Sequence, residues 1–220
     1  MSIAFDAVTN FTFNFTITTM TYSHTCTGSN RILWVGASIR PARTIATGGV
    51  TYNGVAMTQS GAFITTGTIR HYLFFLINPA SGSNTVSITQ SAADTMTSCS
   101  ISYTGARQSS QPDATNEGGP TTTTAYSQAV TSVANNSFAV LYGGAQNATG
   151  LTAGTNVTIR RVPETDFTGA FLLESTAAQT PAGTFTLAVT SASQVFAGCM
   201  ASFSPIVSFT PSPDNRMYFM

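Results

Sequence analysis

Phe11, Phe13, Phe15 and Ile17 alternate with Thr12, Asn14, Thr16 and Thr18. A period of two is the signature of a strand with one face buried and one in water. It predicts a half-buried strand, aromatic face in and threonine face out. The same period recurs along the chain, and no segment shows a convincing repeat of 3.6. Threonine, with 38 copies, is the commonest residue. Its branched Cβ favours strands, while glycine and asparagine supply turns.

Arg31 to Ile39 (RILWVGASI) is a more continuous apolar run, expected as a central strand. In VTYNGVAMT, Asn53-Gly54 stands between short apolar runs, a strong hairpin signal because both residues tolerate positive φ. IRHYLFFLI (69–77) is another strand, ended by Asn78-Pro79. Strands are expected at 85–90 and 96–104, then near 124–132, 137–145, 155–162, 168–175, 184–190 and 195–204. Short strands split by turns give the fold class: all-β, a jelly-roll-like antiparallel β-sandwich.

An internal echo sets the organisation. Pro79-Ala80-Ser81-Gly82, Thr85 to Thr89 and Cys99 to Thr104 are followed, about 100 residues later, by Pro181-Ala182-Gly183, Phe185 to Thr190 and Cys199 to Ser204. Asn30 and the strand ending Val35-Gly36-Ala37 match Asn136 and the strand ending Gly143-Gly144-Ala145. Two similar halves follow, about 5–106 and 124–204 within a sandwich spanning 1–204. One sandwich from two four-stranded motifs is the simplest reading; two independent domains is the other. Residues 107–123, polar with Pro112 and Gly118-Gly119-Pro120, are expected to connect the halves as a surface loop. Residues 205–220 form a tail in which Pro211 and Pro213 precede Arg216, Met217, Tyr218, Phe219 and Met220. Four apolar side chains in water would forfeit roughly 1.5–3 kcal/mol each, so the tail is expected to dock, either on its own sandwich or into a neighbouring subunit.

Charge narrows the function. The chain is 42% hydrophobic and 7% charged, far below the usual quarter, with eight basic groups (all arginine) against eight acidic. Disorder is excluded by this composition, and no apolar run reaches the length of a membrane-spanning helix. With no basic arm, nucleic acid is not an expected partner. A neutral, sparsely charged surface favours association. The start, Met1-Ser2-Ile3-Ala4-Phe5-Asp6, lacks the basic and apolar stretches of a signal peptide.

The reactive residues do not assemble into a known motif. There is no GxSxG and no HExxH around His24 and His71. His71 reads as a packed strand residue; His24-Thr25-Cys26 offers two metal ligands where a structural zinc needs four. Cys26, Cys99 and Cys199 make no disulfide framework; Cys99 and Cys199 read as buried thiols, able to pair only if their strands are neighbours. Trp34 reads as core. Glu164-Thr165-Asp166 beside Arg160-Arg161 reads as a solvated turn with a local ion pair, with an intersubunit contact or a weak calcium site as alternatives. The acids provide no obvious glycosidase pair. No catalytic residue, metal or cofactor is expected.

The stretch Ser23 to Gly36 (SHTCTGSNRILWVG), Val50 to Thr58, the run ending Asn78-Pro79-Ala80 and Ser102-Tyr103-Thr104-Gly105 resemble, in this order, a poorly characterised β-sandwich module of phage virion genes and bacterial surface proteins. The resemblance covers roughly 5–204 and implies a fold, not an activity. Together these features predict a non-enzymatic virion structural protein: a capsid decoration (cement) or fibre-type subunit. Its expected partners are other copies of itself and a capsid or tail protein, with Arg216, Met217, Tyr218, Phe219 and Met220 as the assembly interface. The alternative is a carbohydrate-binding or adhesive surface module, extracellular, whose partner is a host glycan. Its candidate surfaces are residues 107–124 and any exposed aromatic.

Overall fold

Residues 2–145, 150–162 and 169–206 are described by a computed structural model, residues 11–13 as backbone only. The first half contributes β1 (Ala4–Cys26), β2 (Ile32–Ile39), β3 (Ile45–Tyr52), β4 (Val55–Ala56), β5 (Thr58–Gln59), β6 (Ile64–Thr66), β7 (Ile69–Ile77) and β8 (Gly82–Thr104). The second contributes β9 (Ala114–Thr131), β10 (Phe138–Ala145), β11 (Thr152–Ala153), β12 (Val157–Arg161), β13 (Ala170–Ser175) and β14 (Thr184–Phe203). All pairing is antiparallel, in two sheets packed together as a sandwich.

The sheets share one strand order. The first reads β1-β8-β2-β7-β6 with β3 also on β8; the second reads β9-β14-β10-β13-β12 with β11 also on β14. The registers correspond too: Gly36 faces Cys99 across β2 and β8, and Tyr142 faces Cys199 across β10 and β14. Asn30 and Asn136 both take positive φ (52° and 60°) just before their central strands, a conformation asparagine tolerates better than most residues.

Long strands let each half cover itself. β8 pairs with β2 over Met96 to Tyr103 and with β3 over Val86 to Gln90. It therefore passes from an inner layer to an outer one, and β1 follows it. Met20, Tyr22, Val50, Tyr52, Val86 and Ile88 thus close over Leu33, Val35, Tyr72 and Phe74 as one core. The second half repeats this, with Tyr126, Val130, Leu187 and Val189 over Leu141, Phe171 and Leu173. A third core joins the inner layers back to back: Ile32, Trp34, Ile101 and Tyr103 against Val140, Tyr142, Leu172 and Phe203. β2 is buried at all eight positions because one face serves its own half and the other the joint. Trp34 lies wholly inside, 5.5 Å from Phe75 and 5.6 Å from Phe203 between ring centroids.

Several expectations need correction. The connecting loop expected over 107–123 is strand from Ala114 onward. Pro120, which lacks an N–H, is accommodated where the register with β14 shifts, on a strand paired along one side only. The alternation of Phe11, Phe13, Phe15 and Ile17 does not produce a buried aromatic face throughout. Thr16 takes φ 57°, β1 shifts register repeatedly between Phe11 and Thr19, and Phe15 is 59% exposed. The separate strands expected at 85–90 and 96–104, and at 184–190 and 195–204, are single bent strands. The pairings establish a sandwich; they do not extend to a jelly-roll path, since the chain completes one sheet before beginning the other.

Candidate functional site

A buried polar cluster lies between β1 and β8. Residues 22, 24 and 26 of β1 face inward by alternation, as do the serines of β8 across the pairing. His24 Nε2 stands 3.0 Å from Ser102 Oγ, and Ser102 donates to Asp6 Oδ2 at 2.8 Å. His24 Nδ1 is 2.9 Å from Thr9 Oγ1 and 3.0 Å from Ser100 Oγ. A carboxylate only accepts, so the Ser102 proton goes to Asp6 and His24 must donate from Nε2; Nδ1 is then the acceptor for the other hydroxyls.

This chain contains the three residue types of a hydrolytic triad in the wrong order. A nucleophilic serine needs its proton facing the histidine, with the acid behind the ring. Here the serine stands in the middle, its proton given to the acid, and Ser102 and His24 are buried at 0% and 1% exposure. Burial pushes the His24 pKa from 6.5 down to about 4, against the pull of Asp6. Partial burial would raise the Asp6 pKa, but hydrogen bonds from the Thr27 side chain and backbone and from Ser102, with nearby His24, hold it below 3.8. The cluster ties strand to strand, and Asp6 closes the turn after β1 by accepting Thr27 N at 2.8 Å.

His71 is also buried. Its Nδ1 is 2.7 Å from Ser38 Oγ, its Nε2 bonds Thr66 Oγ1, and Ser38 Oγ reaches Tyr142 OH of the other half at 2.7 Å. Burial lowers its pKa to about 3. The rings fit because glycines make room: a Cβ on Gly36 would penetrate the Tyr142 ring, and one on Gly144 would penetrate His71. The expectation of a packed strand histidine agrees with this geometry.

The remaining charges serve the joint and the turns. Arg161 is 2% exposed, not part of a solvated turn as expected from the sequence. It donates to Ser98 O (3.2 Å), Thr97 Oγ1 (3.0 Å) and Ala170 O (3.3 Å), linking the halves. Buried Glu174 accepts from Tyr103 OH and from Arg160 Nε (2.6 Å), and the Arg160 guanidinium lies 3.8 Å above the Phe5 ring. At the opposite edge Glu117 of β9 accepts Ala62 N of the first half at 3.0 Å. Asp113 caps the turn before β10 through Val133 N and Ala134 N. Arg31 donates to Pro79 O, Arg107 to Ser109 O and Ser110 O, and Arg70 to Arg43 O. Arg40 and Arg43 pair with Asp94. Every charged side chain among the described residues is thus engaged within the chain.

Cys26, Cys99 and Cys199 are free and buried. Burial raises the Cys99 and Cys199 thiols to about 12, so neither is poised as a nucleophile. Among the described residues no three metal-ligating side chains converge, and no helix is long and apolar enough to cross a membrane. Among the described residues, the clefts open to solvent include two. One, of about 380 Å³, is bordered by β3 and β8 through Thr44, Gly48, Thr89 and Gln90. The other, of about 350 Å³, lies beside β14 between Asn156, Gln179 and Thr186. No titratable side chain lines either.

Glu164 and Asp166, and Arg216, Met217, Tyr218, Phe219 and Met220, expected from the sequence as an assembly interface, lie outside the described residues. The order Asp6–Ser102–His24 was not visible from sequence, because its members are 78 and 96 residues apart. A paired register for β1 and β8 would have been needed to find it. No protein-family model, curated protein or solved structure matches this chain.

Proposed function

We propose that this chain is a non-enzymatic structural protein of a virion, a capsid decoration (cement) or fibre-type subunit. It joins copies of itself and a capsid or tail protein through apolar terminal contacts, with Met217, Tyr218, Phe219 and Met220 as anchors and Arg216 beside them. One observation carries this reading: the described charges are spent on holding the chain together, and the two outer sheet faces offer hydroxyls. On the first, Thr21 and Thr51 stand either side of Ser87; on the second, Thr131 faces Thr184. Such a scaffold has no free acid, base or cationic patch among its described residues, and a neutral surface favours association. The layered cores give it the rigidity that a particle subunit needs.

The test is a chain ending at Ile206, which keeps Ile206 N on Gly105 O (2.9 Å). It remains folded but no longer joins particles or oligomers. Incorporation of the shortened chain at full occupancy would refute the docking role of the tail.

A second reading, a carbohydrate-binding or adhesive surface module, is favoured by one feature. Phe63 is 41% exposed, rests on Tyr72 with centroids 5.1 Å apart, and has the Arg70 guanidinium 4.8 Å from its ring. An aromatic face beside a donor is suited to an apolar sugar face. A glycan array probed with the full chain and with Phe63→Ala decides it: binding lost in the variant supports this reading, and no binding by either removes it.

A further inference from the structure

β14 leaves a short length of its edge open. In an antiparallel strand, alternate residues turn their N–H and C=O to opposite sides. Gly183 O accepts Ser132 N beside β9, and Ala188 O accepts Gly154 N (2.8 Å) beside β11. Thr184 and Thr186 share the parity of Ala188, so their backbone groups point away from β9. Among the described residues nothing pairs with them there. β11 closes the edge from Ala188 onward. The opening is thus two outward residues long, too short for an added strand.

This edge borders the cleft of about 350 Å³, whose other wall carries two amide side chains, Asn156 and Gln179. Asn156 takes φ 60° and its carbonyl accepts Thr176 N at 3.0 Å; Gln179 donates its N–H to Ser137 O (2.9 Å) and accepts Asn136 N (2.7 Å). Both backbones are held in place, yet neither side-chain amide bonds to any described residue. Ser175, 4% exposed, also lines the cleft. Its Oγ accepts Ala139 N at 3.1 Å, and its own proton has no acceptor among the described residues. Phe185 and Leu187 supply the apolar part of the lining. The first half spends the corresponding groups on itself. Asn78 N donates to Arg31 O as Gln179 N does to Ser137 O, but the Arg31 guanidinium then reaches Asn78 Oδ1 (3.4 Å) and Pro79 O (2.8 Å). Ser137 is too short to do the same, and its Oγ turns to Ala134 O.

We propose that this cleft binds a neutral sugar residue of a glycan. The lining decides the ligand class. It offers backbone N–H and C=O from Thr184 and Thr186, two amides and a spare hydroxyl proton, a mixture of donors and acceptors that sugar hydroxyls, able to do both, can satisfy. A wholly apolar ligand would leave these groups unpaired at a cost. A charged ligand would give up its hydration and meet no opposite charge, since no titratable side chain lines the cleft. Phe185 and Leu187 give the C–H face of a ring an apolar surface to rest on. The volume lies at the lower end of small-ligand clefts, which run from about 300 to 1,000 Å³. The site shares no residue with the Phe63 surface and does not depend on how copies of the chain assemble.

The experiment presents the full chain to an array of oligosaccharides ending in glucose, galactose, mannose or N-acetylglucosamine, with sialylated and uronate-bearing glycans as charged controls. The strongest neutral glycan is then titrated by calorimetry. Asn156→Gly keeps the positive φ and removes one amide; Gln179→Ala removes the other. Each should weaken binding roughly tenfold at an unchanged melting temperature, while Phe63→Ala binds as the parent does. Should one cleft variant fail to fold, the other decides. Parent-level binding in the cleft variants refutes the cleft; if Phe63→Ala alone then loses binding, the second reading above stands without it. A parent chain that binds no neutral glycan, or that prefers the acidic ones, refutes the sugar site outright.

Discussion

Acid should weaken this fold in a window set by its two histidines. Both are buried, with native pKa values of about 4 for His24 and about 3 for His71 against 6.5 when unfolded. The unfolded chain therefore binds two more protons than the native one between roughly pH 6.5 and 4. Stability is complete above the unfolded value and falls as pH drops through that window, at ~2.7 kcal/mol per pH unit for two groups. By pH 4.5 the loss is about 5 kcal/mol, comparable to the whole stability of many domains. Asp6 works in a separate window: its native pKa lies below 3.8, so its contribution is lost only below about pH 4. Urea unfolding at half-unit steps from pH 7.5 to 4.5 measures the slope. His71→Gln should roughly halve it, whatever its effect on absolute stability, and the His24→Gln, His71→Gln double variant should abolish it. A flat profile in the parent chain, or an unchanged slope in the double variant, would mean that the imidazoles do not stay neutral inside.

Other perturbations test the joint between the halves. Gly36→Ala forces a methyl into the Tyr142 ring and should cost about 1–3 kcal/mol by chemical denaturation. Trp34→Ala empties the centre of the shared core and should cost about 3–5 kcal/mol, with loss of the indole emission shift on unfolding, since Trp34 is the sole tryptophan. Arg161→Met removes two donor contacts across the halves and one, to Ala170 O, within its own half; a loss of about 2–4 kcal/mol is expected from the carbonyls and hydroxyl left unpaired, and no change would show that water reaches them. The three thiols should resist a thiol reagent in the native protein and all react in denaturant, with no disulfide on a non-reducing gel.

What the sequence disclosed followed from local rules. Asn53-Gly54 is a two-residue turn with Tyr52 opposite Val55, because the conformational demand lies in the two residues themselves. Trp34 with Ile32, and Leu33 with Val35, fell on opposite faces of β2 as alternation requires. What stayed hidden depends on pairing between distant residues. The bend that takes β1 and β8 from inner to outer layer gives no turn signal, since neither strand breaks. The sequence therefore reads as two short strands where one long one runs. Phe15 shows the cost of extending alternation across such a bend. Arg161 is the complementary case: an arginine in a charged run reads as solvated until the other half's Thr97 and Ser98 are seen beside it.

The matched strand orders explain where the charge goes. Across the joint, β12 lies against β1 through Arg160 over Phe5 and Asn10 Nδ2 to Arg160 O (3.0 Å). β9 lies against the β6 side through Glu117 and Ala62. Since β1 corresponds to β9 and β6 to β12, these are the same contact made twice, as a two-fold relation between the halves requires. The relation passes near Gly36 and Tyr142, residues at corresponding positions that could not both be tyrosine, because one ring occupies the space the other would need. Contacts of Arg160 and Glu117 at the two edges and one large ring at the centre make the joint specific. They also consume arginines and carboxylates that would otherwise face solvent. The outer sheets are left with threonine and serine, and the halves remain unequal where β3 has no full counterpart.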